Sequence, residues 1–141
     1  MTPLFLLDTC VCIDILRQRV AVSGLPPTER CCLSSIVSAE LRTGLAKSPP
    51  NAARRHMLEE FLSLFSIQSF DDPAARHYAD IRADLETKGI AIGPLDLLIA
   101  AHARSLDASL VTANLNEFRR VKGLKLTAWK QPAFGDCGHK P

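Results

Sequence analysis

At 141 residues, with 47% hydrophobic and 23% charged side chains, the chain fits one globular domain with enough apolar material for a core. No apolar run approaches the ~20 residues of a membrane span, and the start, MTPLFLLD, lacks the basic region and small-residue cleavage site of a secretory leader. A cytoplasmic protein that makes no use of a membrane is expected. The formal charge of +2 does not mark a nucleic-acid binder, but it is unevenly spread: residues 117–141 net +4 and residues 1–116 net −2. That basic end either attracts a phosphate backbone or is a solvated charged face.

In chain order, Leu4–Leu7 reads as a buried strand. Thr9 to Leu16 reads as a helix, with Cys12, Ile13 and Leu16 at helical spacing. SGLPPTER (23–30) is a loop on its Gly and Pro content, and Cys32–Leu33 is a second short strand. Ser34 or Ser35 can cap a helix to about Ala46. KSPPN breaks the chain, and Asn51 caps a helix to about Phe65. Ile67–Phe70 is a third strand. Asp71 or Asp72, with Pro73 just inside, opens a helix to about Glu86. TKGIAIGP is a loop, and Leu95 to Leu106 is a helix. Ser109–Thr112 and Leu126–Trp129 complete the strands, and the last dozen residues read as frayed. Strands alternating with helices predict βαβ units and a mostly parallel sheet.

The five cysteines are odd in number and lack the C-x-x-C spacing of a zinc site. Buried or inert free thiols are expected, with Cys137 in the tail.

Three carboxylates fall where a buried face is expected. Asp8 follows the first apolar run, at the carboxyl end of an early strand, where open α/β sheets bind ligands. It could equally cap the next helix. In SSIVSAELRTGLA the apolar stripe is Ile36, Val37, Leu41 and Leu45, and Glu40 rides on or beside it. It could equally be a boundary glutamate paired with Arg42 or Arg82. Asp96 stands in the first turn of an otherwise apolar helix, where the helix dipole favours an anion. Carboxylates crowded together repel, and one takes up a proton unless a cation intervenes. Mg²⁺ or Mn²⁺ suits such an oxygen-only donor set. Beyond the SLVT strand, Thr112, Asn114 and Glu117 either hold a metal or its water, or form a polar turn in which Asn114 or Asn116 caps a short helix.

The segments LFLLDTCVCIDIL, SSIVSAELRTGL, GPLDLLIAAHARSLDASLVTANLNEFRRVKGL and the closing Trp129 resemble, in this order, the PIN-domain ribonucleases. More narrowly they resemble the VapC toxins of toxin–antitoxin modules. D-x-x-I-A-A-H-A followed by L-V-T-x-N-x-x-E-F is the most specific part. The resemblance implies an α/β fold: a PIN-like single domain over residues 1–132, a central mostly parallel sheet flanked by helices, and a flexible tail over 133–141. It implies that Asp8 and Asp96 are the principal ligands of Mg²⁺ or Mn²⁺, with Glu40 as the third acid. Thr9 matches a hydroxyl that supports the first aspartate, and Thr112 is a second supporting candidate. The family's fourth acid falls at Asn114 or Glu117. Cys10 replaces the polar side chain of a related D-T-N pattern.

The implied chemistry is endonucleolytic hydrolysis of RNA phosphodiester bonds by a metal-activated water, with Glu40 orienting or deprotonating that water. Arg42, Arg104, Arg119 and Arg120 are candidates for holding the RNA backbone. A homodimer is implied, and so is a cognate antitoxin that blocks the acidic site from a groove within residues 35–65. A haloacid-dehalogenase-like phosphatase would need an acid where Cys10 stands. The same acids are also compatible with a non-catalytic binding module of this fold, in which they only cap helices and pair with arginines, and with a DNA-directed nuclease.

Overall fold

The structure is a computed structural model that describes residues 4–17 and 24–129. Its five strands are β1 (Phe5–Leu7), β2 (Cys31–Ser34), β3 (Ser66–Gln68), β4 (Ser109–Thr112) and β5 (Lys125–Ala128). They form one sheet in the order β3-β2-β1-β4-β5, and every neighbouring pair is parallel. The helices are α1 (Thr9–Leu16), α2 (Ser35–Lys47), α3 (Ala52–Leu62), α4 (Asp72–Thr87), α5 (Pro94–Ser105) and the single turn α6 (Leu115–Phe118). The expected α/β architecture is present, and its sheet is wholly parallel. Among the described residues no helix is long and apolar enough to cross a membrane. The tail expected at 133–141, with Cys137, lies outside the described residues.

β1 occupies the centre of the sheet, between β2 and β4. Leu6 pairs with Cys32 on one side and Leu110 on the other, and Leu6 and Leu7 are fully buried. A strand covered on both faces reads as a continuous apolar run rather than an alternation, which is why LFLL is recognisable. Helix starts follow local capping chemistry. Ser34 accepts from Ile36 N at 3.0 Å, Asn51 from Arg54 N at 3.1 Å and Asp71 from Ala74 N at 3.2 Å. α4 is followed after its cap Lys88 by Gly89, whose φ of +70° permits the left-handed turn that L side chains resist. Gly89 N donates to Glu86 O and Ile90 N to Leu85 O at 3.1 and 3.0 Å, the paired closure of a Schellman motif.

The differences from expectation lie at element ends. α3 stops at Leu62 rather than Phe65, because Leu64 N and Phe65 N turn back to Phe61 O and Leu62 O. β3 ends at Gln68, and Phe70 N donates instead to Ser35 Oγ at 3.2 Å. β5 closes one residue early. Trp129 then turns inward, and its Nε1 donates to Asp14 Oδ2 at 3.0 Å. Asp14 is fully buried, although nothing in the α1 pattern marks it. Cys10, Cys12, Cys31 and Cys32 are free thiols. Burial pushes Cys31 and Cys32 up to about 11 and Cys12 well above the usual thiol value, which favours the thiol over the thiolate at neutral pH.

His102 is wholly buried in α5, with Nδ1 2.8 Å from Ser34 Oγ and its ring edge-on to Phe70. Burial lowers its pKa from 6.5, against an opposing pull from Asp71 and the Ser69 backbone. A depressed histidine stabilises the fold in its neutral form above the unfolded pKa, and that contribution is lost as pH falls toward the folded one. Urea unfolding from pH 7 down to pH 5 is expected to show declining stability. A His102→Gln variant, which cannot titrate, is expected to show a shallower decline than the parent.

Candidate active site at the carboxyl end of the sheet

The site begins where β1 gives way to α1. Asp8 caps that helix, with Oδ1 accepting from Thr9 N at 2.9 Å. Its Oδ2 accepts from Thr112 Oγ1, at the end of β4, at 2.7 Å, and from the Cys10 thiol at 3.7 Å. Asp8 is only 5% exposed. Burial raises its pKa and Glu40 adds to the rise, while the bonds from Thr112, Thr9 and Cys10 oppose it. Among the described residues no lysine or arginine forms an ion pair with it.

Glu40 approaches from α2, where Thr9 Oγ1 donates to its Oε1 at 2.5 Å. The arginines that offered it an ordinary ion pair are used elsewhere. Arg42 grips Glu59 at 2.7 Å and Arg82 pairs with Glu86 at 2.8 Å. Thr112 is fully buried, and its Oγ1 also accepts from Asn114 N at 2.9 Å. Asn114 stands at the cap position of α6 but makes no side-chain cap bond. Its Nδ2 donates instead to Glu117 Oε1 at 2.6 Å. Glu117 Oε2 accepts from Gly93 N at 2.8 Å. Asp96 lies beside it in the first turn of α5: a Cβ at position 93 would stand 3.5 Å from Asp96 Oδ2 and 3.9 Å from Glu117 Oε2.

Burial pushes Glu117 up, but the Gly93 amide, Asn114, a hydrogen bond with Asp96 and the charge of Arg120 outweigh it, and the net shift is downward.

All the acids named from the sequence thus lie on one connected path, running Glu40, Thr9, Asp8, Thr112, Asn114, Glu117 and on to Asp96. They form two carboxylate pairs joined by hydroxyl and amide groups. Among the described residues no three His, Cys, Asp or Glu side chains meet as a finished metal cage. Thr9 bridges Asp8 and Glu40, and Asp96 stands beside Glu117. One contributor has no signal in the sequence: the Gly93 amide, which has no side chain to announce it; Cys10, already marked by its place in D-T-C, donates to Asp8.

The four arginines named as RNA contacts are scattered, and each is engaged by the chain itself. Arg42 lies against α3 with Glu59. Arg104 donates to His77 Nδ1 at 2.8 Å and Lys122 O at 2.9 Å. Arg119 donates to Asn116 Oδ1 at 3.1 Å. Arg120 donates to Ala91 O at 2.7 Å, and its charge acts on Glu117. Beside Glu40 runs a groove of about 320 Å³ with Ile13, Leu16, Leu41, Leu45 and Leu58 in its walls and Arg54 at its rim.

Ionised Asp8 costs the fold stability, because a carboxyl whose pKa is raised on folding is easier to bury when protonated. Asn keeps the cap acceptor without the charge. Asp8→Asn is expected to raise the melting temperature at neutral pH in chelating buffer by about 2–5 °C. The gap is expected to close as pH falls through the folded pKa, as read by calorimetry.

A family model described as PIN domain matches residues 5–124. The chain is 37% identical over 132 residues to the tRNA(fMet)-specific endonuclease VapC of Salmonella typhimurium, an alignment covering 89% of this chain and 97% of that protein. It is 36% identical over 131 residues to Ribonuclease VapC2 of Rickettsia felis, covering 89% and 98%. Its fold matches a chain of the crystal structure of VapBC2 from Rickettsia felis bound to a promoter DNA fragment, with a TM-score of 0.83 and 35% identity over 90% of this chain and 99% of that one. With its acids at the carboxyl end of a parallel sheet and these relatives matched almost end to end, the chain belongs to the PIN-domain family and, within it, to the VapC proteins.

Proposed function

We propose that this chain is a cytoplasmic, Mg²⁺- or Mn²⁺-dependent endoribonuclease that acts as the toxin of a toxin–antitoxin module. The observation that carries the reading is the buried Asp8 carboxylate, joined through Thr9 to Glu40 and through Thr112 to the Asp96–Glu117 pair, with no basic side chain in an ion pair with it among the described residues. A donor set made only of carboxylate and hydroxyl oxygens fits a hard divalent cation, and Mg²⁺ needs only one or two carboxylates because it keeps several waters. Asp8 and Asp96 would hold the ion, with Glu40 as the third acid. When bound, it supplies the positive charge that offsets the phosphoryl oxygens and eases deprotonation of water.

The chain's own residues do the rest. The Thr9 amide and Thr112 hydroxyl hold Asp8 in one rotamer, so the carboxylate needs no reorganisation when substrate arrives. Glu40, steadied by Thr9, takes the proton from the attacking water. The basic C-terminal end draws the phosphate backbone toward the site. A cognate antitoxin lays an apolar segment into the groove between α1, α2 and α3 and blocks Glu40 at its edge. Two copies of the chain form the working dimer.

RNA incubated with the purified protein and Mg²⁺ or Mn²⁺ is expected to be cut internally, and single- and double-stranded DNA to be left intact. Chelation or Asp8→Ala is expected to lower the rate at least 100-fold. Cutting that survives both would reject this site, and cutting of DNA at the RNA rate would make the protein a DNA-directed nuclease. Leu45→Glu, in the groove wall, is expected to weaken antitoxin binding at least tenfold without slowing RNA cleavage. Unchanged inhibition by the antitoxin would move its binding site elsewhere.

A further inference from the structure

Glu117 and Arg120 flank a turn anchored by Phe118, which is fully buried. Both reach across to the loop that leads into α5. Arg120 donates to Ala91 O at 2.7 Å, and Glu117 Oε2 accepts from Gly93 N at 2.8 Å. The loop is thus held by a carbonyl and an amide two residues apart, which fixes the peptide planes between them.

α5 needs such outside help. Its N-cap is Gly93, which makes no side-chain cap bond, and its first residue is Pro94, which has no N–H. The other helices of two or more turns begin at a capping side chain of their own. At α5 the carboxylate near the helix start comes from Glu117, 24 residues further along, and the positive end of the helix dipole favours it there. Gly93 O in turn accepts the first helical bond, from Leu97 N at 2.9 Å, and that turn carries Asp96.

We propose that Arg120 and Glu117 are positioning residues that act together as a latch. By gripping Ala91 and Gly93 they set the start of α5 and so the placement of Asp96 relative to Asp8. Glu117 contributes to the grip through Oε2, while its Oε1 is held by Asn114. Arg120 serves as the second hand of the grip rather than as a contact to RNA. The assignment rests on the nuclease reading for its catalytic consequence but not for its structural one.

Two readouts on Arg120→Ala, Arg120→Lys and Glu117→Gln test it. Arg120→Ala is expected to speed hydrogen exchange of the Gly93 amide about tenfold or more. It is expected to lower kcat on RNA by about 10–100-fold, the scale of a small misplacement of a reacting group, with KM and its salt dependence unchanged. Arg120→Lys, whose ammonium can still donate to the Ala91 carbonyl, is expected to restore most of both. Glu117→Gln is expected to speed Gly93 exchange by a smaller factor, because a neutral amide oxygen is a weaker acceptor at the positive end of the helix. A rise in KM for Arg120→Ala with a weaker salt dependence, and with kcat and Gly93 exchange unchanged, would make Arg120 a phosphate contact and overturn the latch. Failure of the parent protein to cut RNA would sink the nuclease reading, and the exchange measurement would still decide whether the latch exists.

Discussion

Everything in this structure is arranged around the bond between Thr112 Oγ1 and Asp8 Oδ2. It joins the carboxyl ends of two neighbouring strands in the middle of the sheet, and both partners are almost completely removed from water. A neutral hydroxyl is a weak answer to a buried charge. It orients the carboxylate without neutralising it. The fold therefore carries an acid that is held still and undercompensated, which is the condition a site must meet to attract a dication or the phosphate substrate that travels with one.

The rest of the path distributes the same tension. Thr9 stands between Asp8 and Glu40, Asn114 between Thr112 and Glu117, and the Gly93 amide caps the far end. Each intervening group offers a fixed dipole, and none offers a full positive charge. Arg42, Arg104 and Arg120 donate to groups of the chain itself, and Arg120 also acts on Glu117. Arg42 pairs with Glu59 and Arg82 with Glu86, and among the described residues neither forms an ion pair with Glu40.

The sequence is most informative where one residue's environment is set by its own segment. The Leu4–Leu7 run marks the central strand, Ser34, Asn51 and Asp71 mark helix starts, and Asp8, Glu40 and Asp96 stand out as charges on apolar faces. Less legible are interactions whose partners lie far apart. No local pattern connects Glu117 to Gly93, Trp129 to Asp14 or Arg104 to His77, since those contacts are products of the tertiary fold. Element ends slip by one to three residues for the same reason: α3 is cut short by the turn into β3, and β5 by the inward swing of Trp129. The arginines are the weakest guide, because a long cationic side chain on a surface can reach a carbonyl, an acid or solvent from the same position.

The strand order has a consequence for how such a protein is made. β4 is fourth in synthesis yet lies against β1, and Asp8 meets Thr112 across 104 residues of chain. A ribosome that has delivered α1 through α4 has released Asp8 and Glu40 but none of the strand that orients Asp8. The nascent polypeptide is thus unarmed until most of it has emerged, and Trp129 seals α1 only after that. The geometry around Asp8 is completed only when the fourth strand joins the first.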